Sequence, residues 1–165
     1  MLKKVNPIVY IFVPFIIGYL NNYIILALLQ TGISILYYLY IYGLLFGMVS
    51  FWFWVGRKFA QRNYKLYTAI LLGNSMGIIS LALYIWQFMM LPGESRSLFF
   101  ASISQTFSSA LYVITAKIGV LFEPKKNHYG IATINAMQMI GFICMVLIFI
   151  IGYSYEKNKA KRIKE

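Results

Sequence analysis

The chain is predicted to be an all-α bundle of membrane-crossing helices, and three observations predict it. Of its 165 residues, 61% are apolar and only 12% charged, and the mean hydropathy of +0.71 lies outside the range of water-soluble domains. The charges gather in short clusters between long apolar runs. Fifteen Lys and Arg stand against four Glu, with no Asp, for a net charge of +11. In a soluble chain that balance would suggest nucleic acid as a partner, but basic clusters flanking apolar runs are how membrane helices are oriented, so nucleic acid is set aside. A single cysteine, Cys144, excludes a disulfide framework.

Between Lys4 and Arg57 lie 52 residues without a formal charge. As one helix they would reach ~78 Å, against a hydrocarbon core of ~30 Å, so the run holds two spans. Gln30, Thr31 and Gly32 make the natural break, leaving spans at 8–29 and 33–55. A third span, 66–91, follows the basic stretch 57–65 and ends at Pro92 and Gly93, because proline cannot continue a helix. The fourth, 98–122, is diluted by Ser102, Ser104, Gln105, Thr106, Ser108, Ser109 and Lys117. The fifth, 129–153, is apolar and leads into a charged tail, so residues 1–155 form one bundle and 156–165 a basic tail. The start, Met1, Leu2, Lys3 and Lys4, resembles a signal peptide, but the apolar run after it is too long and lacks a cleavage site. It reads as a retained anchor.

Lys3, Lys4, Arg57, Lys58, Arg62 and Lys65 fall on one side if the first two spans form a hairpin, which puts the N-terminus in the cytoplasm. Five spans then leave eight basic residues inside and six outside, with the tail outside and Lys117 within its span. Four crossings, with a re-entrant or interfacial fourth segment, give eleven inside and four outside. Charge favours four; the length of 98–122 and its lack of a turn signal favour five, and five is the expectation carried forward. The rings Phe51, Trp52, Phe53 and Trp54, just before Arg57, are expected in an interfacial belt. The abundance of Ile, Lys, Asn and Tyr fits an AT-rich genome and a bacterial cytoplasmic membrane.

Catalysis within a bilayer needs ionisable or metal-binding groups in reach of one another. Glu94, Glu123, Glu156 and Glu165 all fall in loops or the tail, and His128 is the only histidine. No nucleophile motif, phosphate loop or zinc spacing is present, so neither enzyme nor cofactor nor metal is expected. Cys144 reads as an apolar filler. Lys117 is the one charge inside a span, close enough to its end for the stem to carry the ammonium to the headgroups.

Uncharged polar and small residues recur at alternating intervals of three and four. In the third span these are Gly73, Gly77, Ser80, Tyr84 and Gln87; in the fourth, Ser102, Gln105, Ser109, Tyr112, Ala116 and Gly119. Such seams let helices approach closely, and the two faces are expected to pack on each other. Gly43 and Gly47 form a further close-packing pair, Pro14, Gly18 and Asn21 share a face, and so do Gln138, Gly141, Met145 and Gly152. Asn21, Asn22, Asn74, Asn135 and Gln138 bring amides that need partners in hydrocarbon, as interhelical bonds or as the lining of a cavity. The expected function is that of a non-enzymatic accessory, regulatory or protective subunit that binds another membrane protein or itself. Anionic lipid headgroups would be drawn to Arg57, Lys58, Arg62 and Lys65. The alternative is a transporter or channel component for a neutral or anionic solute, lined by the same amides and hydroxyls with Lys117 as its one charge.

Overall fold

The computed structural model describes residues 6–62, 64–121 and 130–163, and among them every regular element is helical. Lys3, Lys4, Glu123, the connection 125–128 with His128, and Glu165 lie outside the described residues. Three stretches, Pro7–Gln30, Ser34–Gln61 and Ile131–Arg162, are single helices long and apolar enough to cross a membrane, and two bent pairs bring the number to five if each is one span.

Pro14 has no N–H for the Tyr10 carbonyl, and its ring crowds that residue. The chain therefore enters as a 3-10 helix, Pro7–Phe12, capped by the Asn6 side chain on Ile8 N–H at 3.2 Å, before α1 runs from Val13 to Gln30. The expected break is where the sequence places it. Thr31 Oγ1 donates to the Leu28 carbonyl at 2.7 Å, and Gly32 turns the chain at φ +69°, a conformation open chiefly to glycine. Helix α2 spans Ser34–Gln61 and passes beyond the expected end at 55, because no glycine pair or proline stops it before the polar 57–65 stretch.

The third segment is bent by 54° at Asn74, dividing α3 (Leu66–Gly73) from α4 (Ser75–Tyr84). Asn74 Nδ2 donates to the Ile70 carbonyl at 3.0 Å and Ser75 Oγ to the Leu72 carbonyl at 2.9 Å. Side chains that compete for backbone acceptors in this way bend helices. After α4 the chain widens into a π-helix, Ile85–Met90, whose end carbonyls on Phe88 and Leu91 receive Arg96.

The fourth segment is also broken: α5 (Leu98–Thr106) and α6 (Tyr112–Val120) meet at 59° around a 3-10 turn, Ser109–Leu111. Ser104, Thr106 and Ser109 each bond to a carbonyl three residues back, so clustered hydroxyls again interrupt the ladder. Helix α7, Ile131–Arg162, continues through most of the expected tail. Past Gly152 and Tyr153, the Glu, Lys, Ala and Arg of that segment are good helix formers, and the helix ends only at Arg162.

Helices α2 and α7 form the core, and glycines let them touch. A methyl group built on Gly56 would overlap the Phe149 carbonyl, and one on Gly152 the Phe53 carbonyl. The pair therefore meets backbone to backbone at Gly56 and Gly152. Gly43 and Gly47, expected to serve this purpose, have nothing within 4 Å and face away from the bundle. Trp52, expected in an interfacial belt, is fully buried instead, with its ring edge-on to Phe107 at 5.6 Å and near Phe149 at 6.2 Å.

The side-chain contacts fix the directions of the helices. Arg57, near the end of α2, pairs with Glu156, near the end of α7, at 2.7 Å. Lys117 bonds Tyr42, nearer the start of α2, while Gly119 packs on Thr133 and Met137 at the start of α7. Starts lie by starts and ends by ends, so α2 and α7 run the same way. The fourth segment enters at Ser97, whose N–H bonds Gln87, and reaches its deepest point at Phe107, against Gly77 and Trp52. It then returns past Gly141 to Thr133. Ser97, at its start, thus lies by Gln87, and Gly119, near its end, by Thr133 and Met137. The helical tail lies beside the 57–65 stretch, with Glu156 on Arg57 and Gln61.

Glu156 closes this basic end. It accepts from Gln61 Nε2 at 2.8 Å and from Arg57 Nε at 2.7 Å, while Tyr153 donates its hydroxyl to the Tyr64 carbonyl. Those hydrogen bonds, Gln61 first and then Arg57, hold the Glu156 carboxyl below its ordinary value of 4.5. Because the folded value is depressed, the stabilisation is complete above the unfolded value and disappears as pH falls through the folded one. Thermal unfolding in detergent is expected to show wild type losing its advantage over Glu156→Gln as pH is lowered from 6 towards 3. Parallel curves across that window would show that the ion pair contributes nothing.

Candidate functional site

The break in the fourth segment shapes a polar cavity of about 360 Å³ between α1, α5, α6 and the start of α7. Amides come from Asn21, Asn22, Gln105 and Gln138, and hydroxyls from Ser102, Ser109, Tyr112 and Thr115. Among the described residues no charged side chain lines it. Asn21, only 4% exposed, is held there by the α1 face of Pro14 and Gly18, all three of them buried as the spacing predicts. Gly18 allows this approach, since a methyl group there would overlap the Thr106 carbonyl. The Asn21 Oδ1 has no hydrogen-bond partner. A buried amide oxygen left in this state costs about 1–3 kcal/mol, which a ligand donor would recover.

A second cavity of about 260 Å³ adjoins the first and shares Asn21, Ile25, Ser109 and Tyr112 with it. Its remaining wall is tyrosine-rich, with Tyr37, Tyr38 and Tyr42 of α2, and it holds Lys117. Lys117 Nζ donates to the Tyr42 hydroxyl at 3.1 Å and lies 5.3 Å from the ring centroid. Both cavities belong to the end of the bundle away from the Arg57–Glu156 pair, and the buried rings of Trp52, Phe107 and Phe149 fill the core below them.

The expected site residues divide into three groups. Ser102, Gln105, Ser109, Tyr112 and Gln138 gather on the first cavity, and Lys117 on the second. Gly73, Gly77, Ser80, Tyr84 and Gln87 are all buried, so the third-span seam is a packing face. Gly73 accommodates the Phe149 ring, Gly77 the rings of Phe107 and Phe142, and Ser80 Oγ donates to the Ser104 carbonyl at 2.7 Å. Asn74 and Asn135 lie off the cavity. Asn74 is buried at the kink, and Asn135 accepts from the Tyr84 hydroxyl at 2.7 Å.

The partner expected for that seam is corrected. Ser104 and Phe107 meet the third segment, while Ser102, Gln105 and Ser109 face the cavity. Ser104 satisfies its own hydroxyl on the Ala101 carbonyl at 2.7 Å and so tolerates burial, whereas the longer Gln105 amide needs polar surroundings. Of the five amides expected to bond between helices or line a cavity, Asn21, Asn22 and Gln138 are on the first cavity, while Asn74 and Asn135 are not. Among the described residues no three His, Cys, Asp or Glu side chains come together. Cys144 is half-buried and packs against the core.

No known protein family, curated protein or solved structure matches this chain.

Proposed function

We propose that this is a non-enzymatic cell-membrane protein with four crossings and one re-entrant segment, whose cavity binds a small hydrogen-bonding solute for a membrane assembly. The crossings are α1, α2, α3 with α4, and α7, while α5 and α6 dip in and return. The Arg57–Glu156 pair supports this topology by bringing the tail to the 57–65 stretch. Eleven of the fifteen basic residues then fall on the cytoplasmic side, as the positive-inside bias favours.

The observation that carries the binding reading is a cavity walled by the amides of Asn21, Asn22, Gln105 and Gln138 and by hydroxyls. Side chains that both donate and accept suit an uncharged polar group, and the volume falls within the ~300–1,000 Å³ of small-molecule sites. The rings of Trp52, Phe107 and Phe149 block a path to the basic end, which favours a binding component over a self-sufficient channel. The open face of Gly43 and Gly47 favours, as the second half of this reading, an assembly with another membrane chain or a second copy.

The test uses purified protein in liposomes. In a Cys144→Ala background, Ser102→Cys is expected to react with a membrane-impermeant maleimide from the side opposite the tail, and buried Ser80→Cys is not. Osmotic swelling in glycerol should match that of empty liposomes. An unreactive Ser102→Cys would remove the cavity, and glycerol swelling abolished by Gln105→Leu would make the protein a channel.

A further inference from the structure

Lys117 and the amide-lined cavity stand side by side, and together they specify more than a neutral solute. The two cavities adjoin, with Asn21, Ile25, Ser109 and Tyr112 lining both, so the amides and the ammonium lie on neighbouring walls. Lys117 spends one donor on Tyr42 and retains two of its three. Among the described residues no carboxylate lies within 4 Å of it, the one ion pair there being Arg57 with Glu156. An ammonium tethered by a tyrosine hydroxyl and ring, with no carboxylate beside it among the described residues, is suited to receive an anion. Its depth selects the kind of anion. Helix α6 ends three residues after Lys117, ~4.5 Å along the axis, which puts the charge near the level of lipid phosphates.

We propose that the adjoining cavities bind a phosphate ester of a polyol, with the phosphate on Lys117 and the hydroxyls on Asn21, Gln105 and Gln138. This rests on the binding reading above and names its ligand class. Hydroxyl groups both donate and accept, as do the side-chain amides that line the first cavity. The apolar part of the second cavity, Ile25, Ile41 and Leu44, leaves a wall for an acyl chain, so the same chemistry can arrive as a lipid headgroup or as a soluble ester.

The experiment is native mass spectrometry of the purified full chain in detergent, titrated with phosphatidylglycerol, phosphatidylcholine or soluble glycerol 3-phosphate. Wild type is expected to retain phosphatidylglycerol over phosphatidylcholine, which has the phosphate without the polyol. Lys117→Gln should weaken phosphatidylglycerol binding about tenfold, the size of one lost charge-assisted hydrogen bond, while Lys117→Arg keeps it. Gln105→Leu should erase the preference between the two lipids. Displacement of the lipid by glycerol 3-phosphate, lost in Lys117→Gln, supports the ester with a soluble source; no displacement supports it with a lipid source. If Lys117→Gln binds as wild type while Gln105→Leu does not, the anion site is overturned and the polar cavity stands. If neither change alters binding of any of the three, both readings fall.

Discussion

Replacing Gly56 or Gly152 by alanine is expected to destabilise the bundle by ~3 kcal/mol or more, and replacement by leucine to prevent its assembly. At both positions the added carbon meets a backbone carbonyl of the partner helix, Phe149 for Gly56 and Phe53 for Gly152, and not the end of a side chain that could swing aside. Relief would require α2 and α7 to separate along the contact that organises the core. Since lipid is as apolar as leucine, close packing and hydrogen bonding hold membrane helices together, and parting them forfeits much of what does so. The control lies in the same helix: Gly43→Ala and Gly47→Ala, with nothing within 4 Å, should leave the purified monomer's stability unchanged. Unfolding by sodium dodecyl sulfate, followed by size exclusion, reads both effects. Equal losses at Gly43 and Gly56 would contradict this assignment of the core.

Phe107→Ala is expected to cost about 3 kcal/mol, the low end of the range for burying and then deleting an aromatic ring. The ring is 2% exposed at the tip of the dipping segment and packs against Trp52, Phe15 and Gly77. The transfer contribution shrinks in a lipid surrounding, but the void left among rigid neighbours does not. Loosening should concentrate in α5 and α6, so hydrogen exchange is expected to rise there before it rises in α7. Uniform acceleration across all helices, or none, would mean that Phe107 does not seat the segment.

The division between what the residues foretold and what they concealed follows from how far each signal reaches. Apolar runs and their polar breaks are local, so the α1–α2 turn at Thr31 and Gly32 and the end of the third segment before Pro92 were legible. The buried seam from Gly73 to Gln87 was legible too, because a nearly regular helix preserves its spacing. In the fourth segment the same spacing misled. Hydroxyls that bond back to carbonyls at residues 101, 103 and 106 break the helix, and past the 3-10 turn the expected seam no longer describes one face. Glycine pairs were ambiguous for another reason: Gly43 and Gly47 repeat at the close-packing interval yet touch nothing, while Gly56 and Gly152 belong to no local pair and meet only in the fold. Charge counting had already favoured the arrangement the contacts support. The break in 98–122 went unseen because a turn signal was sought in glycine and proline, whereas the 3-10 turn there follows Ser108 and begins at Ser109.

The central claim is that the chain crosses four times, with α5 and α6 returning to the side they entered. The most direct measurement is the sidedness of its end. In a Cys144→Ala background, single cysteines at Ile163, which is 75% exposed at the end of α7, at Gln61 and at Gly93 are labelled in intact cells with an impermeant thiol reagent and again after permeabilisation. Labelling of Ile163 and Gln61 only after permeabilisation, with Gly93 labelled before it, is the predicted result. Ile163 labelled in intact cells together with Gly93, while Gln61 stays protected, would mean that the fourth segment crosses and would contradict the account.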